Sequence, residues 1–244
     1  PPQYGKVFIS IKPRNGDFVP NLIKENIKRD LRRYSVAGIV PEILDLKYLF
    51  IETNSKVYYN TNLAPSASFV STKVQRDLTS YAESSELNKY GARFKYSRFL
   101  KVIDSSHESV TSNITTVEMR RDLRLATSEV AEYAIDFGNE FHVRSMNGFN
   151  IRSSAFRVLN INTDVYLYDI PDSTAERGQI SLFSLNEGSS TPIIQRRNIG
   201  VINYKTGRIT LDPINIVSGK TKDNVDILEI SATPESNDII GLQD

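Results

Sequence analysis

Along residues 6–12, Val7, Ile9 and Ile11 alternate with Lys6, Phe8, Ser10 and Lys12, a period of two that predicts a strand with one strongly apolar face. Phe8 on the other face predicts a second packing surface, against a helix or a neighbouring chain. Pro13 cannot donate to a ladder, and Arg14-Asn15-Gly16-Asp17 is turn chemistry, so the strand stops there. From Asn21 to Tyr34 the period lengthens to that of a helix, with Leu22, Ile23, Ile27, Leu31 and Tyr34 on one stripe. Pro20 precedes it where helices tolerate proline, and Gly38 lies past its end.

The segment Glu42–Tyr59 is long and β-prone. Thr53-Asn54-Ser55-Lys56 within it reads equally as a turn or as a bulge in one long ribbon. Two further helices are predicted: Ser66–Ala82, with Val70, Val74, Leu78 and Tyr81 on one side, and Phe94–Asp104, with Tyr96, Phe99, Leu100 and Ile103. Val110–Leu123 returns to strand character. The order predicts an α+β domain over 1–123, a small mixed sheet with helices on one face, nearest to a ferredoxin-like or split βαβ arrangement.

Beyond Ala126 the helical period fades, apart from an expected short helix at Ser128–Ala134. Short β segments follow at Glu140–Arg144, Ala155–Ile161, Asp164–Asp169, Gln179–Ser184, Ile199–Tyr204, Arg208–Leu211 and Val225–Ala232. The clearest hairpin joins Gly200–Tyr204 to Arg208–Leu211, with Gly207 supplying a positive φ. Residues 124–234 therefore predict an antiparallel β-rich domain, and 235–244 a flexible tail.

Composition narrows the chemistry. Thirty Lys and Arg face 29 acidic residues, so no net field draws in nucleic acid or an acidic membrane. The absence of cysteine excludes disulfides and thiol chemistry. No apolar run approaches the ~18–20 residues that span a bilayer. A start at Pro1-Pro2, without Met, predicts a piece of something longer or a processed product.

No catalytic constellation emerges. His107 and His142 fit no metal-ligand spacing, and no Gly-x-Ser-x-Gly nucleophile elbow accompanies them. Gly219-Lys220-Thr221 resembles the end of a phosphate loop, but Ile214 stands where that loop needs glycine. Glu83, Glu86 and Glu108 lie in polar loops or at helix ends, where carboxylates usually serve solvation. The residues thus predict no catalytic, cofactor-binding or metal-binding site, no cofactor and no small-molecule substrate. Tyr58-Tyr59 and Tyr166/Tyr168 suit packing or protein interfaces better than base stacking. A competing reading takes Lys24, Lys28, Arg29, Arg32 and Arg33, in the basic helix 21–34, as a nucleic-acid-binding face.

The opening run Tyr4-Gly-Lys-Val-Phe-Ile-Ser-Ile-Lys-Pro13 resembles a segment of the baseplate wedge ring proteins of T4-type contractile-tailed phages, within the baseplate J-like family. Val117-Glu-Met-Arg-Arg-Asp-Leu123 and Gly200-Val-Ile-Asn-Tyr-Lys-Thr-Gly207 are similar to it as well. The resemblance implies a C-terminal fragment of a non-enzymatic virion protein of the tail baseplate, assembled in the host cytoplasm. It implies copies that pair (a homodimer) and link neighbouring wedges into a ring around the hub, alongside other wedge proteins. That ring would rearrange on sheath contraction. It carries over no catalytic residues, and leaves the interface residues unknown.

Overall fold

The protein's structure, a computed structural model, describes residues 5–13, 16–35, 38–127, 129–143, 149–186 and 191–241. The chain divides into two units, one of residues 1–48 with 221–225, the other of 49–220 with 226–244.

In the first unit, β1 (Lys6–Ser10), α1 (Asn21–Arg32) and β2 (Val40–Leu44) form a βαβ unit, its two strands paired in parallel with Val7 opposite Pro41 and Ile9 opposite Ile43. The predicted strand and helix are both present. Tyr4 and the Arg14-Asn15 half of the predicted turn lie outside the described residues. The tip 221–225 joins this unit through Asp17, whose backbone N–H donates to Asp223 Oδ2 at 2.9 Å and whose carboxylate meets Lys222 Nζ at 2.5 Å.

The second unit begins with β3 (Phe50–Tyr59), α2 (Ala67–Ala82), β4 (Arg93–Phe94), α3 (Tyr96–Asp104) and β5 (Val110–Arg124). Then come β6 (Val130–Asp136), β7 (Arg152–Ser153), β8 (Arg157–Val158), β9 (Tyr166–Pro171), β10 (Arg177–Leu185), β11 (Pro192–Asn203) and β12 (Arg208–Ser218). β13 (Lys220–Lys222), β14 (Val225–Ala232) and β15 (Ile239–Ile240) close the chain.

One sheet runs β14-β5-β3, all antiparallel, with β7 and β13 also on β14; a second runs β6-β12-β11-β10-β9, with β8 on β12; β15 pairs with β4. Helices α2 and α3 pack on each other, and α3 on β5. One continuous apolar cluster, from Val70 and Phe99 through Met119 to Ile209, Ile230 and Ile239, runs through this unit.

The class is therefore α+β with a large antiparallel β part. The strands of 1–123 do not share one ferredoxin-like sheet: β1 and β2 pair apart, while β3 and β5 take β14 from near the C-terminus as their partner. Distant apolar segments offer equivalent edges, and Leu123 meets Leu228 although about a hundred residues separate them. The division expected at 124 falls at the end of β5, inside the second unit.

Three local expectations are corrected. Residues 130–136 form strand β6 rather than a helix, because Tyr133 and Ile135 alternate with Glu132, Ala134 and Asp136 and bury against Leu211 and Ile209 (Ser128 lies outside the described residues). Thr53–Lys56 is neither turn nor bulge but the middle of β3, opposite Val117–Ile114; the register shift lies at Tyr58/Tyr59. Residues 235–241 are not a loose tail: Ile239 is 1% exposed, β15 pairs with β4, and Asp238 Oδ1 accepts from the Tyr96 N–H at 2.7 Å, capping α3. Residues 242–244 lie outside the described ones.

Of the remaining predicted strands, Val225–Ala232 coincides with β14 and the Gly200–Leu211 hairpin with β11–β12, Asn203 opposite Arg208 and Gly207 at φ +67°. A side chain on Gly207 would strike the backbone of Asn139. Glu140–Arg144 shrinks to a single bridge, Phe141 to Pro234, with Arg144 outside the described residues.

Candidate interaction surface

The two histidines act locally. His107 Nδ1 lies 2.8 Å from Ser109 Oγ and its ring meets Phe69 edge-on at 5.4 Å, which fastens the turn before β5. His142 is exposed and lies 2.7 Å from Glu235. Among the described residues no three His, Cys, Asp or Glu side chains converge on a metal position. Glu86 pairs with Arg98 at 3.0 Å, and Glu83 is the C-cap of α2. An open groove along α3, lined by Ser97, Arg98, Lys101, Val102 and Ser105, brings together no acid–base pair.

The Gly219-Lys220-Thr221 segment is occupied by structure. Lys220 Nζ bonds both Glu229 carboxylate oxygens at 2.8 and 2.9 Å, and Gly219 approaches the Ile227 carbonyl so closely that a Cβ would lie 2.5 Å from it. The lysine's charge is thus met by a carboxylate within the chain.

On α1, Lys24 reaches Asp45 at 2.6 Å, Lys28 reaches Glu25 at 3.3 Å and Arg29 donates to Asn26 at 3.0 Å. Three of the five cations of the basic helix are thus engaged within their own unit. Of the aromatics, Tyr168 is buried and Tyr166 stacks on Phe183 at 5.4 Å, which is packing; Tyr58 is 40% exposed.

The conspicuous surface is apolar. The stripe of α1 has no buried residue: Leu22 is 74% exposed and Tyr34 88%. On β1, Val7 and Phe8 are both about half exposed although they point to opposite faces, and among the described residues of this unit Val19 and Ile43 are the buried large apolar side chains. Roughly fifty residues enclose only a small core of their own. Exposed apolar area of this kind marks contact with another molecule rather than a reaction centre.

The polar feature that sequence reasoning missed lies inside the second unit. Asp169, 1% exposed, accepts from the N–H groups of Asn150 and Ile151, each at 2.8 Å, and from the Tyr204 hydroxyl at 2.7 Å. Asn150 in turn donates to the His142 and Thr233 carbonyls at 2.6 and 2.9 Å and accepts from the Thr233 N–H at 2.8 Å. Burial pushes the Asp169 carboxyl above the ordinary carboxylate range, partly offset by its hydrogen bonds; burial and the neighbouring Asp169 charge push the Tyr204 hydroxyl far up. Each of these side chains has its hydrogen-bond partners within the unit, so this is a structural staple. Its one sequence signal is an acid in the otherwise apolar Tyr166-Leu-Tyr-Asp-Ile170.

The chain has clear relatives. Residues 1–44 match the family described as baseplate structural protein gp6, C-terminal domain I, and residues 47–122 match C-terminal domain III of the same protein. The break between the matches falls beside the break between the two units. Over 179 residues the chain is 30% identical to baseplate wedge protein gp6 of Enterobacteria phage T4, which takes in 71% of this chain and 27% of that protein. The chain thus spans about a quarter of its relative's length. These likenesses are to gp6; the baseplate J-like family, expected from the opening run, is a different one and is replaced by it.

Proposed function

We propose that this gp6-like chain is a structural subunit of a phage tail baseplate wedge, one that works by contact and not by catalysis. The observation that carries this is the gp6 similarity, running through both domain matches and most of the chain. Its place is the tail baseplate of the virion. The exposed stripe of α1 and both faces of β1 support the reading, because an assembly subunit needs apolar surface that the free chain leaves uncovered.

Within the baseplate the chain self-associates and joins neighbouring wedges into a ring around the hub, one that rearranges when the sheath contracts. A ring requires two distinct contact regions per protomer or two self-complementary ones. The first unit supplies one and the second unit the other. Its partners are a second copy of itself and other wedge proteins.

Light scattering over a concentration series, with and without added oligonucleotide, tests this. A discrete homo-oligomer indifferent to oligonucleotide is the expected result. A monomer that gains mass with oligonucleotide at low salt, and loses it as salt rises, would replace the reading by a nucleic-acid module built on α1.

A further inference from the structure

The sheet β14-β5-β3 ends in β3, and among the described residues β3 has β5 as its one neighbour. At ten residues it is longer than most strands and holds no proline. Along 51–59 its outward N–H and C=O groups therefore form an open ladder edge among the described residues. Glu52, Thr53 and Asn54 are exposed in succession, which takes in both faces of the strand.

The sequence of this edge is self-complementary. An antiparallel partner of identical sequence, centred at Asn54, sets Glu52 opposite Lys56, Thr53 opposite Ser55, Ile51 opposite Val57 and Phe50 opposite Tyr58. The strand's one acid, which Arg120 also meets at 3.0 Å within the chain, faces its one base, and apolar meets apolar at both ends. Two-residue slips lose this: one sets Glu52 opposite Tyr58, the other opposite Asn54. Charges placed solely to keep an edge unpaired would not need such symmetry.

We propose that β3 pairs with β3 of a second copy about a two-fold axis at Asn54, fusing the two β14-β5-β3 sheets into one. The proposal rests on the self-association reading above and names its surface. It uses the outer row Phe50, Glu52, Asn54, Lys56 and Tyr58, where Tyr58 is 40% exposed and Ile114, beside Lys56 on β5, is 61% exposed.

The absence of cysteine makes the test clean, since one introduced thiol can crosslink only between copies. Asn54→Cys meets itself at the axis, at a cross-strand Cα separation of about 4.5–5.5 Å that suits a disulfide. Lys56→Cys faces Glu52 instead and lies about 13 Å from its own counterpart, four residues along the strand. Mild oxidation of each full-length variant is therefore expected to give a covalent dimer with Asn54→Cys and none with Lys56→Cys.

The charge pair gives an independent readout by sedimentation at low salt. Glu52→Lys alone and Lys56→Glu alone are each expected to weaken self-association by roughly tenfold to a few hundredfold, two symmetry-related pairs having turned repulsive. An equimolar mixture of the two regains the mass of the unaltered dimer. An unaltered protein that oligomerises while both cysteine variants behave alike, and both charge variants oligomerise normally, removes the β3 edge and leaves self-association elsewhere. An unaltered protein that stays monomeric removes both, leaving a different baseplate chain as the occupant of this edge.

Discussion

The two units treat the same kind of side chain in opposite ways. Leu211, Ile209 and Leu182 in the second unit are wholly buried, whereas Leu22, Ile23 and Tyr34 in the first stand in solvent. Both sets lie on regular apolar stripes of well-formed elements, so periodicity does not separate them. Enclosure does: the second unit stacks sheets and helices around one continuous cluster, and the first has two strands and one helix, with Val19 and Ile43 its buried large apolar side chains among the described residues. Under the proposed function, the open stripe of α1 serves assembly and not the fold.

The largest expected effect tests that contrast directly. Leu211→Ala is expected to cost about 2–5 kcal/mol in urea unfolding, while Leu22→Ala changes stability by no more than about 0.5 kcal/mol. A costly Leu22→Ala would mean the α1 stripe is covered in the free chain, and the contrast would collapse.

Next comes the buried staple. Tyr204→Phe removes one donor from the Asp169 carboxylate and is expected to cost about 1.5–3 kcal/mol, measured in the same way. Asp238→Ala, which uncaps α3 from the far end of the chain, is expected to cost about 1 kcal/mol. No effect there would detach residues 235–241 from the second unit's stability.

The two units also differ in pH dependence. Asp169 holds its proton more tightly folded than unfolded, because burial disfavours its charge. Its contribution is therefore fully present below the unfolded carboxylate pKa, and is lost as pH rises through that value to the raised folded one. Asp169→Asn, which keeps an acceptor for the Asn150 and Ile151 N–H groups, is expected to flatten this part of the stability–pH curve. In the first unit Glu42 has the opposite sign, its carboxyl held down by the hydrogen bond from Lys6. The smallest expected effect is a rise of the Glu42 titration toward its ordinary range in Lys6→Ala, read by carboxyl NMR, with little change in stability.

Much of the fold was legible where local chemistry decides. Ser66 caps α2 by accepting from the Phe69 N–H at 3.2 Å, and Gly207 turns the β11–β12 hairpin as its positive φ demands. The strand at Val225–Ala232 was readable to the residue. Residues 130–136 were misread because Ala131 and Ala134 dilute the alternation that Tyr133 and Ile135 carry, and alanine favours helices. The tail was misread because Ile239-Ile240 is too short a run to signal a strand without its partner, Arg93-Phe94.

The candidate surfaces were half legible. The sequence showed an apolar stripe on α1 and a β-prone run at 42–59, but neither that the stripe stays exposed nor that β3 ends its sheet. The Asp169–Asn150–Tyr204 staple was beyond reach, since its members meet across 19 and 35 residues and none belongs to a spaced motif.

Periodicity, caps, turns and the absence of cysteine belong to the chain itself, because each depends on residues a few positions apart. With its gp6 likeness, the sequence thus determined most elements and the class of protein. Tertiary structure decided which strands pair, which stripes are covered and which edge is left open. Those outcomes depend on competition among distant segments for a limited number of partners, and Leu123 finding Leu228 while β3, among the described residues, ends its sheet is one resolution of it.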